Sequence, residues 1–133
     1  MVFLRDLVGP SARPPMRKKA LVLDFFATFC KPCQRELPHV VELNERWKSK
    51  DVEVILIGFG ETPETLAEFA LQKNIPLRVL SDRYNVASKQ YGVDQLPRVV
   101  VVGADGKVKE DLVGDHENLV EELEKLLTTL TAA

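Results

Sequence analysis

Residues 20–26 (Ala-Leu-Val-Leu-Asp-Phe-Phe) form a nearly unbroken apolar run rich in β-formers, as expected for a strand covered on both faces. Four residues later comes Cys30-Lys31-Pro32-Cys33, which holds both cysteines of the chain. Beyond it Leu37, Val40, Val41, Asn44 and Trp47 recur at spacings of three and four, so a helix is expected to about Ser49, kinked at Pro38. A strand feeding a helix through so short a turn commits the chain to a layered α/β architecture. It also sets Cys30 at the positive end of a helix dipole, where a thiolate is stabilised and becomes nucleophilic. Lys31 adds positive potential, and Pro32 suits a first helical turn, whose N–H groups have no intrahelical partner. The pair reads as a reversible dithiol/disulfide. Cys30 is the nucleophile, and Cys33, a turn deeper, is the resolving thiol whose proton must be removed locally.

The rest of the chain alternates in the same way. Residues 52–58 read as a second buried strand. Thr62-Pro63-Glu64 starts a helix capped by Thr62, with Leu66, Phe69, Ala70 and Leu71 facing inward. Residues 77–80 read as a short strand and 85–91 as a short helix stopped by Gly92. Residues 99–102 and 107–113 flank Ala104-Asp105-Gly106, a hairpin signal. Leu119, Val120, Leu123, Leu126, Leu127 and Leu130 mark a last amphipathic helix. The order βαβαβαββα implies parallel crossovers early and an antiparallel hairpin late. Residues 1–19, with Gly9, Pro10, Pro14 and Pro15, lack periodicity and are expected as an extended arm before one domain over 20–133.

Charge and hydropathy exclude some roles. A net charge of -2 leaves no basic excess to neutralise phosphates, so no nucleic-acid partner is expected. No apolar run approaches the roughly 18 residues of a membrane span, and residues 1–16 lack the apolar core of a secretory signal. Two cysteines in one motif cannot build a structural disulfide framework, so the count does not reveal the compartment.

Two carboxylates stand out. Asp24 lies mid-strand among apolar neighbours; burial should raise its pKa and let it accept the proton of Cys33. A strand-edge Asp reaching water, or one hydrogen-bonded for structure, would fit the same position. Glu36, three residues after Cys33, follows on the same helical face, where it could tune the thiols and shuttle protons. An exposed glutamate stabilised by the helix dipole fits as well. As half of a zinc site the motif could be completed only by His39 and His116, neither at finger-like spacing. No metal or other cofactor is expected.

Residues 23–33 (Leu-Asp-Phe-Phe-Ala-Thr-Phe-Cys-Lys-Pro-Cys) resemble the strand–motif segment of the thioredoxin superfamily. Gln34-Arg35-Glu36-Leu37-Pro38 resembles its TlpA/ResA-like branch, and residues 52–58 with 62–80 resemble the extra αβ insertion of that branch. Tyr91-Gly92-Val93 through Leu96-Pro97 is similar to the family's Y-G-V…L-P element, and Ala104-Asp105-Gly106-Lys107-Val108 to its late hairpin. The resemblance implies a thioredoxin-like α/β fold, a central mixed β-sheet flanked by helices, and a thiol–disulfide oxidoreductase acting as a reductant. It implies a cis bond before Pro97, main-chain contacts from Leu96 to an extended substrate, and an apolar patch from Phe29. Lys31, Pro32 and Arg98 would border the same groove, with Asp24 and Glu36 carrying protons. Three departures are visible: Phe29 where tryptophan is usual, Arg98 where threonine is common, and Asp24 together with Glu36.

The partners implied are protein thiols or disulfides and an upstream electron-donor protein, with the chain itself a monomer. Leu4-Arg5-Asp6-Leu7-Val8-Gly9 resembles a segment near the start of the family's soluble domain. That points to a periplasmic or other extracytoplasmic location behind an upstream signal or anchor; a leaderless cytoplasmic protein fits as well. Peroxiredoxins share the fold but need a threonine three residues before their cysteine, where this chain has Ala27 and Thr28 is one residue off. A copper-handling module of thioredoxin fold is the other alternative, since Cu(I) favours thiolates. Such modules space their cysteines more widely, and neither histidine here sits in the usual late-loop context.

Overall fold

The computed structural model describes residues 18–132. Five strands make one mixed sheet in the order β3-β2-β1-β4-β5. β1 (Ala20–Phe26) is central, parallel to β2 (Val52–Phe59), which is parallel to β3 (Arg78–Asp82). β4 (Arg98–Gly103) runs antiparallel along the other edge of β1, and β5 (Val108–Val113) pairs antiparallel with β4. The crossovers are α1 (Lys31–Trp47) and α2 (Pro63–Gln72); α3 (Val86–Gln90) leads to β4, and α4 (Leu119–Thr131) follows β5. The expected mixed sheet flanked by helices is what the chain forms.

Alternation along β1 explains its apolar run. Ala20, Val22 and Phe26 enter one core with Val40, Leu43 and Trp47 of α1, Leu66 and Phe69 of α2, and Leu119, Leu123 and Leu127 of α4. Leu23 and Phe25 enter a second core with Ile55, Ile57, Val100 and Ala87. Each Val, Leu, Ile or Phe side chain taken out of water stabilises the fold by about 1.5–3 kcal/mol, so a central strand with both faces covered favours apolar residues at nearly every position, Asp24 being the exception. Asp24, between Val22 and Phe26, faces the α1 side.

Several expectations shift. Leu71 is 78% exposed, not inward; the buried stripe of α2 is Leu66 and Phe69, and two residues beyond Phe69 a side chain has turned to the opposite face. Leu43, absent from the expected stripe of α1, is fully buried. α1 holds Pro38 inside it as expected but ends at Trp47, where a 3-10 turn (Lys48–Lys50) leads to Asp51 at φ 66°. β3 runs on to Asp82 because its polar end is used. The Ser81 hydroxyl donates to the Glu61 carbonyl (2.5 Å), and the buried Asp82 carboxylate accepts from the N–H groups of Ala87 (3.1 Å) and Ser88 (2.8 Å) at the start of α3. The carboxyl ends of the parallel strands β1, β2 and β3 and the start of β4 all open at one edge of the sheet, and the cysteines lie there.

Candidate active site

Only residues 27–30 separate β1 from α1. They form a turn closed by the Cys30 N–H, which donates to the Ala27 carbonyl at 3.1 Å. Cys30 is the N-cap of α1, with extended backbone (φ -85°, ψ 110°), and its Sγ accepts from the Cys33 N–H at 3.3 Å. A sulfur thus occupies the place of a capping oxygen, where the orphan amides of the first turn converge. No acidic residue in that turn offsets the positive end of the helix. Cys30 and Cys33 are joined by a disulfide. Cys30 is half-buried and Cys33 only 4% exposed, so an incoming sulfur meets Cys30 first.

The two carboxylates lie beneath the motif and are buried: Asp24 is 2% exposed and Glu36 1%. Burial, reinforced by the negative charge of Glu36, holds the Asp24 carboxyl well above the ordinary carboxylate range. Burial also raises Glu36, against the pull of the His116 N–H, which donates to its Oε2 at 2.7 Å. Asp24 Oδ1 and Glu36 Oε1 are buried with no hydrogen-bond partner. Burial therefore decides between the alternatives for Glu36, which is not an exposed helix glutamate. A cleft of about 300 Å³ opens beside it, lined by Arg35, Glu36, His39, Asp115, His116 and Glu117.

The residues expected around the groove are placed unequally. Phe29 is 78% exposed, Lys31 is exposed and Pro32 half-buried in the first turn of α1. The Leu96–Pro97 bond is cis; Pro97 is buried, its carbonyl accepting from the Gly114 N–H at 2.9 Å, and Leu96 packs between the two cores. Arg98 is engaged elsewhere. Its Nε and Nη2 donate to the two carboxylate oxygens of Asp111 on β5 (2.5 and 2.9 Å), and Nη1 lies 3.4 Å from Asp94. That two-pronged pair, in a side chain only 12% exposed, commits the cation to the β4–β5 hairpin.

Sequence reasoning missed Glu61, Gln34 and His116. The Glu61 carboxylate and the Gln34 side chain hold Thr28, two residues before Cys30. The His116 main chain caps Glu36, while its ring lies between the Glu122 carboxylate (2.9 Å) and the Val113 carbonyl (3.1 Å). For Glu61 a signal existed: a carboxylate just past the carboxyl end of the parallel strand beside the motif strand, where such sheets gather their sites. A main-chain contact such as that of His116 leaves no trace in a sequence. Among the described residues, no group of three or more His, Cys, Asp or Glu side chains is placed to hold a metal ion, and no helix is long and apolar enough to cross a membrane.

A family model described as the AhpC/TSA family matches residues 11–111. The thiol-disulfide oxidoreductase ResA of Bacillus thuringiensis (strain Al Hakam) is 34% identical over 130 residues, which cover 98% of this chain and 69% of that protein. The ResA of Geobacillus thermodenitrificans (strain NG80-2) is 32% identical over 126 residues, covering 92% and 72%. The chain spans 64% of the ResA of Bacillus thuringiensis subsp. konkukian (strain 97-27), so it covers about two thirds of the length of such relatives. A thiol-disulfide isomerase from Corynebacterium glutamicum superposes with a TM-score of 0.76 at 23% identity, covering 89% of this chain and 84% of that one, a likeness of fold.

Proposed function

We propose that this chain, which belongs to the AhpC/TSA family and is a thiol–disulfide oxidoreductase related to ResA, reduces disulfides on protein substrates through Cys30. The observation that carries this is the sulfur of Cys30: half-exposed, seated as a helix cap and bonded to a buried Cys33. In the reduced protein, the Cys30 thiolate attacks one sulfur of the substrate disulfide. A Cys30–substrate disulfide forms and the other substrate sulfur leaves as a thiolate. Cys33 then loses its proton and attacks Cys30 Sγ, which releases the second substrate thiol and leaves the Cys30–Cys33 disulfide. Two electrons pass from the enzyme dithiol to the substrate, and an upstream dithiol protein must return them.

Asp24 and Glu36 are the proton acceptors for Cys33. Both are buried on the α1 side of β1, and carboxyls raised above the ordinary range are better matched to a thiol proton than free ones. The cleft beside Glu36 gives the proton a way out to solvent. Phe29 and the main chain of Leu96 receive an extended substrate segment, with Lys31 and Pro32 framing the attacking sulfur. The resemblance of residues 4–9 to the start of the family's soluble domain supports work outside the cytoplasm.

The other readings have less behind them. The position a peroxidatic threonine would need is the buried Ala27, and the hydroxyl of Thr28 is committed to Glu61. A copper-handling role finds no support among the relatives quoted.

The test uses single-cysteine variants with a protein disulfide such as oxidised insulin. Cys33→Ser should accumulate a mixed disulfide through Cys30, and Cys30→Ser should form none and turn nothing over. Turnover surviving Cys30→Ser would end this reading. A Cys30/Cys33 reduction potential above about −180 mV would instead make the protein an oxidant.

A further inference from the structure

Thr28 has three polar groups and each is taken. Its N–H and hydroxyl donate to the two carboxylate oxygens of Glu61, at 2.8 and 2.5 Å. Its carbonyl accepts from the Gln34 side-chain amide at 2.7 Å. Glu61 comes from the loop between β2 and α2, and Gln34 from α1, so the tip of the turn is held from two sides. Glu61 is itself seated on β3. Its carbonyl accepts from the Ser81 hydroxyl at 2.5 Å, and the preceding Gly60 N–H donates to the Asp82 carbonyl at 3.0 Å. Packing supplies little of this restraint, because the other tip residue, Phe29, is 78% exposed.

We propose that Glu61 is a positioning residue for thiol–disulfide exchange: by taking both hydrogens of Thr28 it fixes the Thr28-Phe29 tip, and through it the capping geometry of Cys30. The proposal rests on the reading of Cys30 as the nucleophile. A thiolate is stabilised by donors that are held on it, and the Cys33 N–H reaches Cys30 Sγ only while Cys30 keeps its extended cap conformation. That conformation begins at the tip Glu61 holds. Freeing the tip lets Cys30 leave the cap, and the thiolate fraction falls.

The charge of Glu61 acts in the opposite sense, since a nearby carboxylate disfavours a second anion. The two effects separate by substitution. In Glu61→Gln the amide oxygen accepts the Thr28 N–H and the amide N–H donates to the Thr28 hydroxyl oxygen, so the clamp survives without the charge. In Glu61→Ala both are lost.

The experiment reduces the full chain with dithiothreitol, removes the reductant and follows alkylation by iodoacetamide from pH 5 to 9. Cys33 is buried, so the first alkylation reports Cys30. The expected result is a Glu61→Ala profile displaced to higher pH than that of Glu61→Gln. At neutral pH its rate should be roughly three- to tenfold lower, as for one lost hydrogen bond. Glu61→Gln should react at least as fast as the parent protein. Coinciding profiles for the two variants would overturn the proposal whatever their melting temperatures, because a merely structural role shifts neither profile and a purely electrostatic one shifts both alike. Should Glu61→Ala fail to unfold cooperatively, Thr28→Val decides: it deletes half the clamp and keeps the charge. It should shift the profile upward from the parent protein, and no shift would overturn the proposal. If the parent protein exchanges disulfides normally while the variants coincide, the positioning role alone fails. If it forms no mixed disulfide as Cys33→Ser, the oxidoreductase reading fails first.

Discussion

Replacing Asp24 with leucine should make the protein more stable and, at the same time, a slower enzyme. Asp24 is 2% exposed on the central strand, paired in register with Leu56 and Val99, and its Oδ1 has no partner. An unsatisfied buried acceptor costs about 1–3 kcal/mol, which an apolar side chain of similar size removes. For 133 residues, an unfolding entropy of about 2 cal/mol/K per residue converts each kcal/mol into about 3–4 °C. Tm should therefore rise by about 3–12 °C. The pH dependence has a definite sign. The folded pKa of Asp24 is raised by burial and by Glu36, so the folded state holds this proton longer than the unfolded state does. Its contribution to stability is full below the ordinary aspartate range and is lost as pH climbs through the raised folded value. The leucine variant lacks that decline, so its advantage over the parent protein should widen with pH. Resolution of the mixed disulfide should slow by about a hundredfold, the lower end for a lost general base, since Glu36 remains. Thermal unfolding from pH 5 to 9 reads the first effect. Quench-flow of a Cys30–thionitrobenzoate adduct reads the second. A lower Tm, or an unchanged pH slope, would refute the energetic argument. An unchanged resolution rate would remove Asp24 from the proton path.

Two further outcomes follow from the packing. Arg98→Met should lower stability by about 0.5–1.5 kcal/mol, high for a surface pair because the guanidinium contact is two-pronged, and leave the KM for protein disulfides unchanged. Asp111 is held below the ordinary carboxylate range chiefly by its hydrogen bond to Arg98, so this stabilisation is present above the unfolded aspartate pKa and lost as pH falls through the folded one. Acid unfolding of Arg98→Met should lack that step, and a raised KM with unchanged stability would return Arg98 to the substrate groove. Gly58→Ala should cost about 1–3 kcal/mol, seen as a lower urea midpoint at constant m, because a Cβ there collides with the side chain of the fully buried Leu66. An unchanged midpoint would mean α2 can move away.

The order of elements, the covered central strand, the late hairpin and the cysteine pair at a helix start are all local. A strand covered on both faces is apolar at nearly every position, and an amphipathic helix must repeat at three and four, so residues 20–26, Asp24 apart, and the last helix declare themselves. Cys30 as cap follows from adjacency alone. Positions two residues apart in a helix face opposite ways, so a local count could not place Leu71 without knowing which stripe of α2 meets the sheet. The apolar pattern of β3 stops short of its end because Ser81 and Asp82 break it, and their partners lie in the Glu61 loop and at the start of α3.

Everything that needed a partner from another element was decided by the tertiary structure. Arg98 became a hairpin clamp because Asp111, whose register partner is Val100, lies diagonally across β4 and β5 within reach of its guanidinium. Glu36 became a buried acid because the main chain at His116, 80 residues away, closes over it. Thr28 was fixed by Glu61, 33 residues away. The physical reason is common to all three. Hydrophobic periodicity is written in a residue's own neighbours, whereas a hydrogen bond or ion pair is specified only when folding brings donor and acceptor to one point.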